Sequence, residues 1–247
     1  MKIVQIIPAR MGSSRFPGKP LRKINGIPMI EMIYKNIFKI KEIYKTYVAT
    51  CDKEIFDYLK SKKINVIYTS KNHQRASDRC AEALFKLEKK YNIRFDLMVM
   101  VQGDEPLINY KNIKSAIKPF QKNKSLQVVN LMSKIIDKSL ISDPNCVKVV
   151  FNKHNYASYF SRSAIPYSKE KNTYSFKQVC VIPFTRSGII KYMKLKSTML
   201  EKIESIDMLR FIENDIKIQM VEIKNYTHPV DNLSDLKKVE NYLRNLL

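Results

Sequence analysis

A cationic loop with two glycines follows the first apolar run of the chain. Residues 7–21 read Ile-Pro-Ala-Arg-Met-Gly-Ser-Ser-Arg-Phe-Pro-Gly-Lys-Pro-Leu and place Arg10, Arg15 and Lys19 among small residues. Small residues let backbone N–H groups approach a phosphate, and the cations neutralise its charge. The spacing of a Walker A loop is absent. The segment predicts a phosphate-binding loop, and a surface turn is the alternative.

Carboxylates stand in two further places where a metal could bind. Asp104 lies in the sequence Gln-Gly-Asp-Glu-Pro, directly after the apolar run 96–101, and Asp231 follows His-Pro-Val. Hard oxygen ligands suit Mg²⁺, which nucleotide sites hold through one or two carboxylates and phosphate oxygens. For Asp104 the alternative is a turn or N-cap before the next helix.

Two more segments carry candidate binding groups. Residues 69–79 are polar, and Arg75 and Ser77 are candidates for recognising a base, although Ser77 is also a good helix N-cap. Farther along, a spacing of three predicts that four charged residues lie near one helix face: Glu201, Glu204, Asp207 and Arg210. That face is either solvated or supplies hydrogen-bonding groups for a polyhydroxylated substrate.

The elements that must position these residues follow from the hydrophobic pattern. The strand-like runs are 3–7, 46–50, 65–68, 96–101, 126–131, 147–151, 178–184 and 217–223. The helical patterns are 29–40, 53–62, 77–91, 110–122 and 233–247. Alternation of strands and helices over the first 130 residues predicts an α/β fold with a parallel sheet. In such a sheet the loops after strands 3–7 and 96–101 meet at one edge.

Composition restricts the classes of function. The net charge of +22 permits a nucleic-acid-binding protein, but the 45 lysines and arginines are spread along the chain, which favours a solvated basic surface. The four cysteines lack zinc-site spacing and are expected to be free thiols in a reducing cytoplasm. No apolar run reaches the roughly 18 residues of a membrane span. The N-terminal residues predict a first strand rather than a signal peptide.

Seven motifs in order resemble one known family. They are Ile-Pro-Ala-Arg, Ser-x-Arg-x-Pro-Gly-Lys-Pro-Leu, VxVQGDEP, DPNxVKVV, YFSRxxIP, LExxExxDxLR and VDNxxDL. Over nearly the whole chain this pattern is similar to the CMP-sugar-acid synthetases, and most to those that activate 3-deoxy-manno-octulosonate (Kdo). The resemblance implies a cytidylyltransferase that joins the anomeric hydroxyl of a 3-deoxy-2-ulosonic acid to the α-phosphate of CTP and releases pyrophosphate.

The resemblance also implies an architecture and a set of partners. It implies a three-layer, Rossmann-like nucleotidyltransferase fold with a mainly parallel sheet, as one domain over residues 1–247. Residues 133–176, where the alternation breaks, are expected to form an inserted segment for dimerisation or for the sugar site. The expected cofactor is Mg²⁺, the expected assembly is a homodimer, and the expected setting is surface-polysaccharide biosynthesis in the cytoplasm, without nucleic-acid or membrane partners.

Roles for individual residues come with the resemblance. Arg10, Lys19 and Asp104 are expected to be catalytic, and Asp104 and Asp231 to hold the metal. The expected nucleotide-binding residues are Ala9, Arg10, Ser14, Arg15, Lys19, Arg75, Ser77 and Arg79. The expected sugar-binding residues are Gln102, Arg162, Gln178 and Glu204.

Two departures from the family pattern bear on the substrates. Residues 73–79 read His-Gln-Arg-Ala-Ser-Asp-Arg, so Arg75 and Ala76 stand where the family has Ser and Gly. Residues 178–182 read Gln-Val-Cys-Val-Ile where the family has a His and a Tyr at the sugar acid. Because polar pockets select for particular hydroxyls, the acceptor is left open between Kdo and a related acid. The rival hypotheses are a nucleic-acid-binding protein and an inactive relative that binds CTP.

Overall fold

The computed structural model describes residues 1–12, 16–169 and 174–246. The chain divides into two compact units. The first unit is formed by Met1–Ile113 and Tyr226–Leu247, and the second by Lys114–Asn225. The chain passes from the first unit to the second within helix α4, Tyr110–Lys122.

Parallel strands form the sheet of the first unit. They are β1 (Ile3–Ala9), β4 (Lys45–Thr50), β5 (Val66–Tyr68) and β6 (Leu97–Val101), in the order β6-β1-β4-β5. Registers such as Ile3 opposite Leu97 and Val4 opposite Lys45 align the strands in parallel. Every residue of β1 and β6 is buried, as near-continuous apolar runs in a covered parallel strand require.

Helices and a small hairpin connect these strands. The helices are α1 (Met29–Ile37), α2 (Lys53–Ser61), α3 (Ala76–Tyr91) and α9 (Leu233–Arg244), with a 3-10 turn at Lys19–Leu21 and a hairpin of β2 (Lys23–Ile24) and β3 (Ile27–Pro28). Helix α3 ends where Asn92 adopts left-handed dihedrals, and α9 begins with a capping box of Asn232 and Asp235.

A mixed sheet organises the second unit. Its strands are β7 (Val129–Lys134), β8 (Lys148–Phe151), β9 (Ala157–Ser161), β10 (Phe176–Val179) and β12 (Gln219–Glu222), in the order β12-β7-β10-β8-β9. Strands β12 and β7 pair in parallel, and the other neighbours pair antiparallel. The unit also contains β11 (Val181–Thr185), α5 (Ser139–Ser142), α6 (Arg186–Lys194), α7 (Met199–Glu204) and α8 (Leu209–Ile212).

The structure confirms the α/β class and the parallel pairing of the early strands. Two strand predictions differ from the structure. The run 178–184 is two strands that separate at Cys180, and β9 is a strand that the hydrophobic pattern did not predict. Helix α9 buries Leu236 and Val239, but Leu233 and Leu246 are exposed. The hydrophobic pattern along the chain does not report the tertiary contacts that produce these differences.

The predicted helix face at 201–210 is also wrong. Helix α7 ends at Glu204 and is capped by Ser205, whose φ of 54° is left-handed, and α8 begins at Leu209. Glu201 and Glu204 therefore lie on α7, Asp207 lies in the turn, and Arg210 lies on α8. A periodicity of three cannot reveal such a break, because the left-handed residue is a serine and not a glycine.

The cysteines and the helices bear on two expectations from composition. All four cysteines are free thiols. None of the described helices combines the length and the apolar character that crossing a membrane would require. The expectation that 133–176 forms a dimerisation segment stays a prediction; these residues lie within the second unit.

Candidate functional site

The loop after β1 is anchored by its backbone. The N–H of Met11 donates to the Asp52 carboxylate at 2.8 Å, and the N–H of Gly18 donates to the carbonyl of Met11 at 3.3 Å. Gly18 has a φ of 68°, a conformation that glycine adopts without steric cost. The turn that follows, Lys19–Leu21, fixes the start of the Lys19 side chain. Ser14 and Arg15, both predicted here, lie outside the described residues.

Gly103 brings the end of β6 against the end of β1. A Cβ atom at this position would lie 2.8 Å from the carbonyl oxygen of Pro8, so any larger residue would force the backbones apart. Because β1 and β6 are parallel neighbours, the residues after them share one edge of the sheet. Asp104 is therefore held beside the loop that carries Lys19, as the sequence predicts.

Asp231 joins the same edge from the far end of the chain. The N–H of Val230 donates to the carbonyl of Asp104 at 2.9 Å, which ties the segment before α9 to the end of β6. The N–H of Asp231 donates to Asp235 Oδ2 at 3.0 Å. Both bonds act on the backbone, and they leave the Asp231 side chain directed at Lys19.

One ammonium group bridges the two carboxylates. Lys19 Nζ lies 3.0 Å from Asp104 Oδ2 and 3.2 Å from Asp231 Oδ1. Burial by itself would lower the pKa of Lys19, but the charges and hydrogen bonds of Asp104 and Asp231 outweigh burial and raise its pKa above the usual value. Lys19 is therefore a cation at neutral pH. Two carboxylates gathered on one cation present the hard oxygen atoms that bind divalent metals.

A cleft of about 500 Å³ opens beside this cluster. Its lining includes four cationic side chains and one carboxylate, and it consists of Pro8, Ala9, Arg10, Gly12, Lys19, Pro20, His73, Gln74, Arg75, Ala76, Arg79, Gln102, Gly103 and Asp104. Five of the predicted nucleotide-binding residues are in this lining: Ala9, Arg10, Lys19, Arg75 and Arg79. Ser77 is buried in the first turn of α3 and is not among the lining residues. The cleft has the charge and the size to hold a polyanion.

The wall of the cleft formed by residues 69–79 is held by one arginine and one glutamate. Arg79, which is buried, donates to Thr69 Oγ1 at 2.6 Å and to the carbonyl of Ser70. Glu82 accepts the N–H of Ser70 at 2.9 Å and a hydrogen bond from His73. Glu82 was not predicted from the sequence, because nothing in its spacing distinguishes it from other helix-surface glutamates.

Hydrogen bonds hold the carboxyl group of Glu82 in its ionised form. Burial alone would raise the pKa of its carboxyl, but hydrogen bonds from Lys86, the Ser70 N–H and His73 outweigh burial and lower the pKa to about 2. Glu82 is therefore ionised throughout the physiological range. It acts as a fixed acceptor that holds the loop between β5 and α3.

Three of the four predicted sugar-binding residues lie in the second unit. Glu204 accepts the hydroxyl of Ser161 at 2.7 Å and the N–H of Arg162 at 2.8 Å. The Arg162 guanidinium donates to the carbonyl of Glu204 at 2.6 Å and to that of Pro144 at 2.7 Å. Arg162 and Glu204 are thus brought together. The fourth residue, Gln102, lines the cleft of the first unit.

Gln178 has a different setting. It lies on β10, where its Nε2 donates to Asn130 Oδ1 at 2.6 Å. Asn130, on β7, is fully buried and donates to the carbonyls of Leu131 and Val179. This hydrogen bond fixes the orientation of both side-chain amides, and the Gln178 side-chain oxygen takes no part in it. Asn130 was not predicted from the sequence, since a lone asparagine in a strand-like run gives no signal of its partner.

A buried lysine in the second unit was not predicted either. Lys148 is fully buried, and its Nζ donates to the carbonyls of Asp143 at 2.8 Å and Arg162 at 2.5 Å. Burial lowers the pKa of Lys148, because the charged form loses hydration that two carbonyls replace only in part. Lys148 fixes the backbone from which Arg162 projects.

Glu201 and Arg210 form a separate buried pair. Arg210 Nε lies 2.8 Å from Glu201 Oε2, and Arg210 Nη2 lies 2.6 Å from Glu201 Oε1. The guanidinium also stacks on the ring of Tyr192, 4.1 Å from its centroid. These two residues are therefore neither a solvated face nor open binding groups.

Comparisons with known proteins bear on the whole chain. A family model described as cytidylyltransferase matches residues 4–218. The 3-deoxy-manno-octulosonate cytidylyltransferase of Fusobacterium nucleatum is 40% identical over 245 residues, covering 99% of this chain and 98% of that protein. The 8-amino-3,8-dideoxy-manno-octulosonate cytidylyltransferase of Shewanella frigidimarina is 37% identical, covering 97% and 98%. A solved CMP:2-keto-3-deoxy-manno-octonic acid synthetase complexed with CTP is 32% identical, with a TM-score of 0.89 and complete coverage of both chains.

Proposed function

The chain belongs to the cytidylyltransferase family and is a nucleotidyltransferase that uses CTP, and we propose that its acceptor is 3-deoxy-manno-octulosonate or the 8-amino analogue. The observation that carries the nucleotidyl-transfer part of this proposal is the bridge of Lys19 between Asp104 and Asp231, beside a cationic cleft. The named relatives supply the identity of the sugar, because enzymes for both acids match this chain over nearly its full length.

The cleft accounts for the nucleotide half of the reaction. We assign Arg10, Lys19, Arg75 and Arg79 to the neutralisation of the triphosphate and the positioning of the base, together with the backbone at Ala9. Ser77 supports the first turn of α3 from a buried position. Ser14 and Arg15 keep their proposed phosphate contacts on the basis of the sequence alone. Arginine offers paired donors to phosphate oxygens, and lysine offers a mobile point charge.

The two carboxylates fit a magnesium ion. Asp104 and Asp231 present oxygens to one cation, and Mg²⁺ binds one or two carboxylates together with substrate phosphates. Among the described residues, no group of three or more His, Cys, Asp or Glu side chains gathers as a metal cage. When bound here, Mg²⁺ supplies charge neutralisation for the phosphates and lowers the pKa of a coordinated hydroxyl.

Positioning is the main contribution of the chain to the transfer itself. The acceptor's anomeric oxygen bonds to the α-phosphorus of CTP, the bond to the β-phosphate oxygen breaks, and the hydroxyl proton is lost to solvent. Such a transfer needs alignment of the reacting atoms and stabilisation of charge on the oxygens more than covalent chemistry. Arg10 and Lys19 would supply the positive charge that stabilises those oxygens, and a hydroxyl whose pKa is lowered by a bound Mg²⁺ would need no histidine base.

On the basis of the sequence resemblance alone, we propose that Gln102, Arg162, Gln178 and Glu204 contact the sugar acid. Gln178 and Ile182 stand where the family pattern has the His and the Tyr, and Gln178 is bonded to Asn130, so the hydrogen-bonding groups offered to the sugar acid differ from those of the family. For that reason two acceptors are proposed. The free enzyme has Glu204 bonded to Ser161 and Arg162, and substrate hydroxyls compete for those bonds.

We also propose a homodimer in the cytoplasm that serves the synthesis of a surface polysaccharide. The support for the cytoplasm is four free thiols, which persist in reducing compartments. The support for the pathway class is the sugar named in the relatives. Sedimentation of the purified chain tests the dimer directly.

The decisive experiment measures pyrophosphate release. Each of the four nucleoside triphosphates is tested with Kdo, 8-amino-Kdo and other ulosonic acids, with and without Mg²⁺. We expect turnover with CTP and one of the two named acids only. Turnover with another acid would overturn the acceptor assignment, and CTP binding without any turnover would identify an inactive relative.

A further inference from the structure

Asp235 makes more hydrogen bonds than a helix cap needs. It is the third residue of α9 and forms a capping box with Asn232: the N–H of Asp235 donates to Asn232 Oδ1 at 3.0 Å, and the N–H of Asn232 donates to Asp235 Oδ2 at 3.1 Å. That exchange completes a capping box. Asp235 Oδ2 also accepts the N–H of Asp231 at 3.0 Å, outside the helix.

The other oxygen of Asp235 is held by a buried ring. Asp235 Oδ1 lies 3.1 Å from His228 Nε2, and His228 is 3% exposed. The His228 ring lies nearly parallel to that of Tyr226, with an angle of 8° between the planes. Both oxygens of the carboxylate are therefore bonded, and the side chain connects the start of the turn at His228 with its end at Asp231.

These bonds fix the backbone of Asp231 from one side, and Asp104 fixes it from the other. The N–H of Val230 is held by the carbonyl of Asp104, and the N–H of Asp231 is held by the Asp235 carboxylate. Because the N–H groups of both Val230 and Asp231 are hydrogen-bonded, the backbone dihedral angles between these two peptide groups have little freedom to rotate. The Asp231 carboxylate, one methylene from this fixed backbone, then lies 3.2 Å from Lys19 Nζ.

We propose that Asp235 is a positioning residue, which sets the place of the Asp231 carboxylate for the metal and the triphosphate. The inference rests on the proposed function, since it takes Asp231 as a metal ligand. Residues that orient a ligand without touching the metal change its affinity by about 10- to 100-fold when they are removed. A plain helix cap would change stability alone.

The chain offers a matched control in Asn232. Asn232→Ala removes the N-cap acceptor of the same helix and leaves the bonds from Asp235 to Asp231 and His228 in place. Asp235→Ala removes the N3 half of the box and the bond to Asp231. Both variants weaken the same helix end, and only the second releases Asp231.

The test measures Mn²⁺ binding to each protein by electron paramagnetic resonance, with a non-hydrolysable CTP analogue present. Thermal unfolding of each variant is recorded in parallel. We expect Asp235→Ala to raise the Mn²⁺ dissociation constant about 10- to 100-fold and Asn232→Ala to change it less than about twofold, at similar losses of thermal stability. Asp235→Glu, which keeps two acceptor oxygens, should recover much of the affinity.

Each other outcome has a definite meaning. Equal Mn²⁺ constants in Asp235→Ala and Asn232→Ala would reduce Asp235 to a helix cap and overturn the inference. Unchanged Mn²⁺ binding in Asp231→Asn would overturn the metal assignment of the proposed function instead. If Asp235→Ala does not fold, Asp235→Asn, which keeps one acceptor oxygen, carries the same comparison.

Discussion

Two clusters of opposite charges in this molecule differ in what their geometry permits. In the first unit, Lys19 bridges Asp104 and Asp231, and the exposed fractions of the three side chains are 14%, 20% and 11%. In the second unit, Arg210 binds both oxygens of Glu201, whose side chain is fully buried. In the first cluster, one ammonium group contacts two carboxylates beside a cleft. In the second, one planar guanidinium group binds both oxygens of a single carboxylate.

The difference separates a site that can exchange ligands from one that holds the fold. An ammonium on a flexible stem can shift when a phosphate or a metal ion enters, and the carboxylates then rebind the new charge. A buried bidentate pair has no such freedom, because separating its members leaves an uncompensated charge away from water. Charge alone therefore does not identify the functional cluster; its access to solvent and the sharing of one cation do.

The largest effect is expected from breaking the buried pair. Arg210→Met leaves Glu201 charged and unpaired, so the free energy of unfolding should fall by about 3–5 kcal/mol, measured by urea denaturation. The specific activity of the protein that remains folded should be retained. The double variant Glu201→Gln/Arg210→Met is the control, and it should recover part of the loss; equal stability of both variants would contradict the pairing.

Removing a charge from the cluster of Lys19, Asp104 and Asp231 should lower activity and leave stability nearly unchanged. Asp104→Asn keeps the size of the side chain and removes its charge, so kcat/KM for CTP should fall by about 10²- to 10³-fold. Its free energy of unfolding should change by less than about 1 kcal/mol, because the cluster is partly solvated. Normal turnover in this variant would remove Asp104 from the site, and a large loss of stability would erase the contrast with Arg210.

Lys19 tests whether the shared point charge matters. Lys19→Met should lower kcat/KM about 10- to 100-fold, the value of one or two hydrogen bonds to charged groups. Lys19→Arg keeps the charge, but a guanidinium fork does not fit between two carboxylates as an ammonium does, so it should recover little activity. Full recovery with arginine, in steady-state assays at saturating Mg²⁺, would show that charge is sufficient.

The smallest effect is the pH dependence of the buried pair. Burial would raise the pKa of Glu201, but hydrogen bonds and charge from Arg210, with Ser197 and the N–H of Thr198, outweigh burial and lower the pKa below its usual 4.5. Since the pKa in the folded protein is the lower one, the stabilisation is complete above about pH 4.5 and is lost as the pH falls through the folded pKa.

Urea denaturation of the wild type and of Glu201→Gln at several pH values checks this dependence. The difference in unfolding free energy between the two proteins should shrink as the solution is made acidic, because the wild-type carboxyl then becomes neutral as well. A difference that is constant with pH would contradict this account.

Local pattern was sufficient for the framework of the cleft. The apolar runs that became β1 and β6 predicted parallel strands, and their order along the chain placed Lys19 and Asp104 at one edge of the sheet. This worked because side-chain periodicity reports burial directly, and because parallel neighbours must end on the same side.

The local sequence pattern did not predict which hydrogen-bond and ion-pair partners support the candidate site. Glu82, Asn130 and Lys148 each have a strong structural role and no sequence signal, since their types are common and spacing does not reveal their partners. The spacing of Glu201 and Arg210 predicted a helix face, whereas the left-handed turn at Ser205 made them a buried pair.

The sequence by itself determined the α/β framework, the cationic loop after β1, the carboxylate after β6 and, through its ordered motifs, the cytidylyltransferase family. Only the tertiary structure decided that Asp231 reaches Lys19, that Asp235 and Asp104 hold the backbone of its segment, and that Glu201 belongs to the fold. The physical reason is the distance along the chain over which each effect acts. Periodicity and turn chemistry act over a few residues, but the meeting of Lys19 with Asp231 depends on packing of the chain between them.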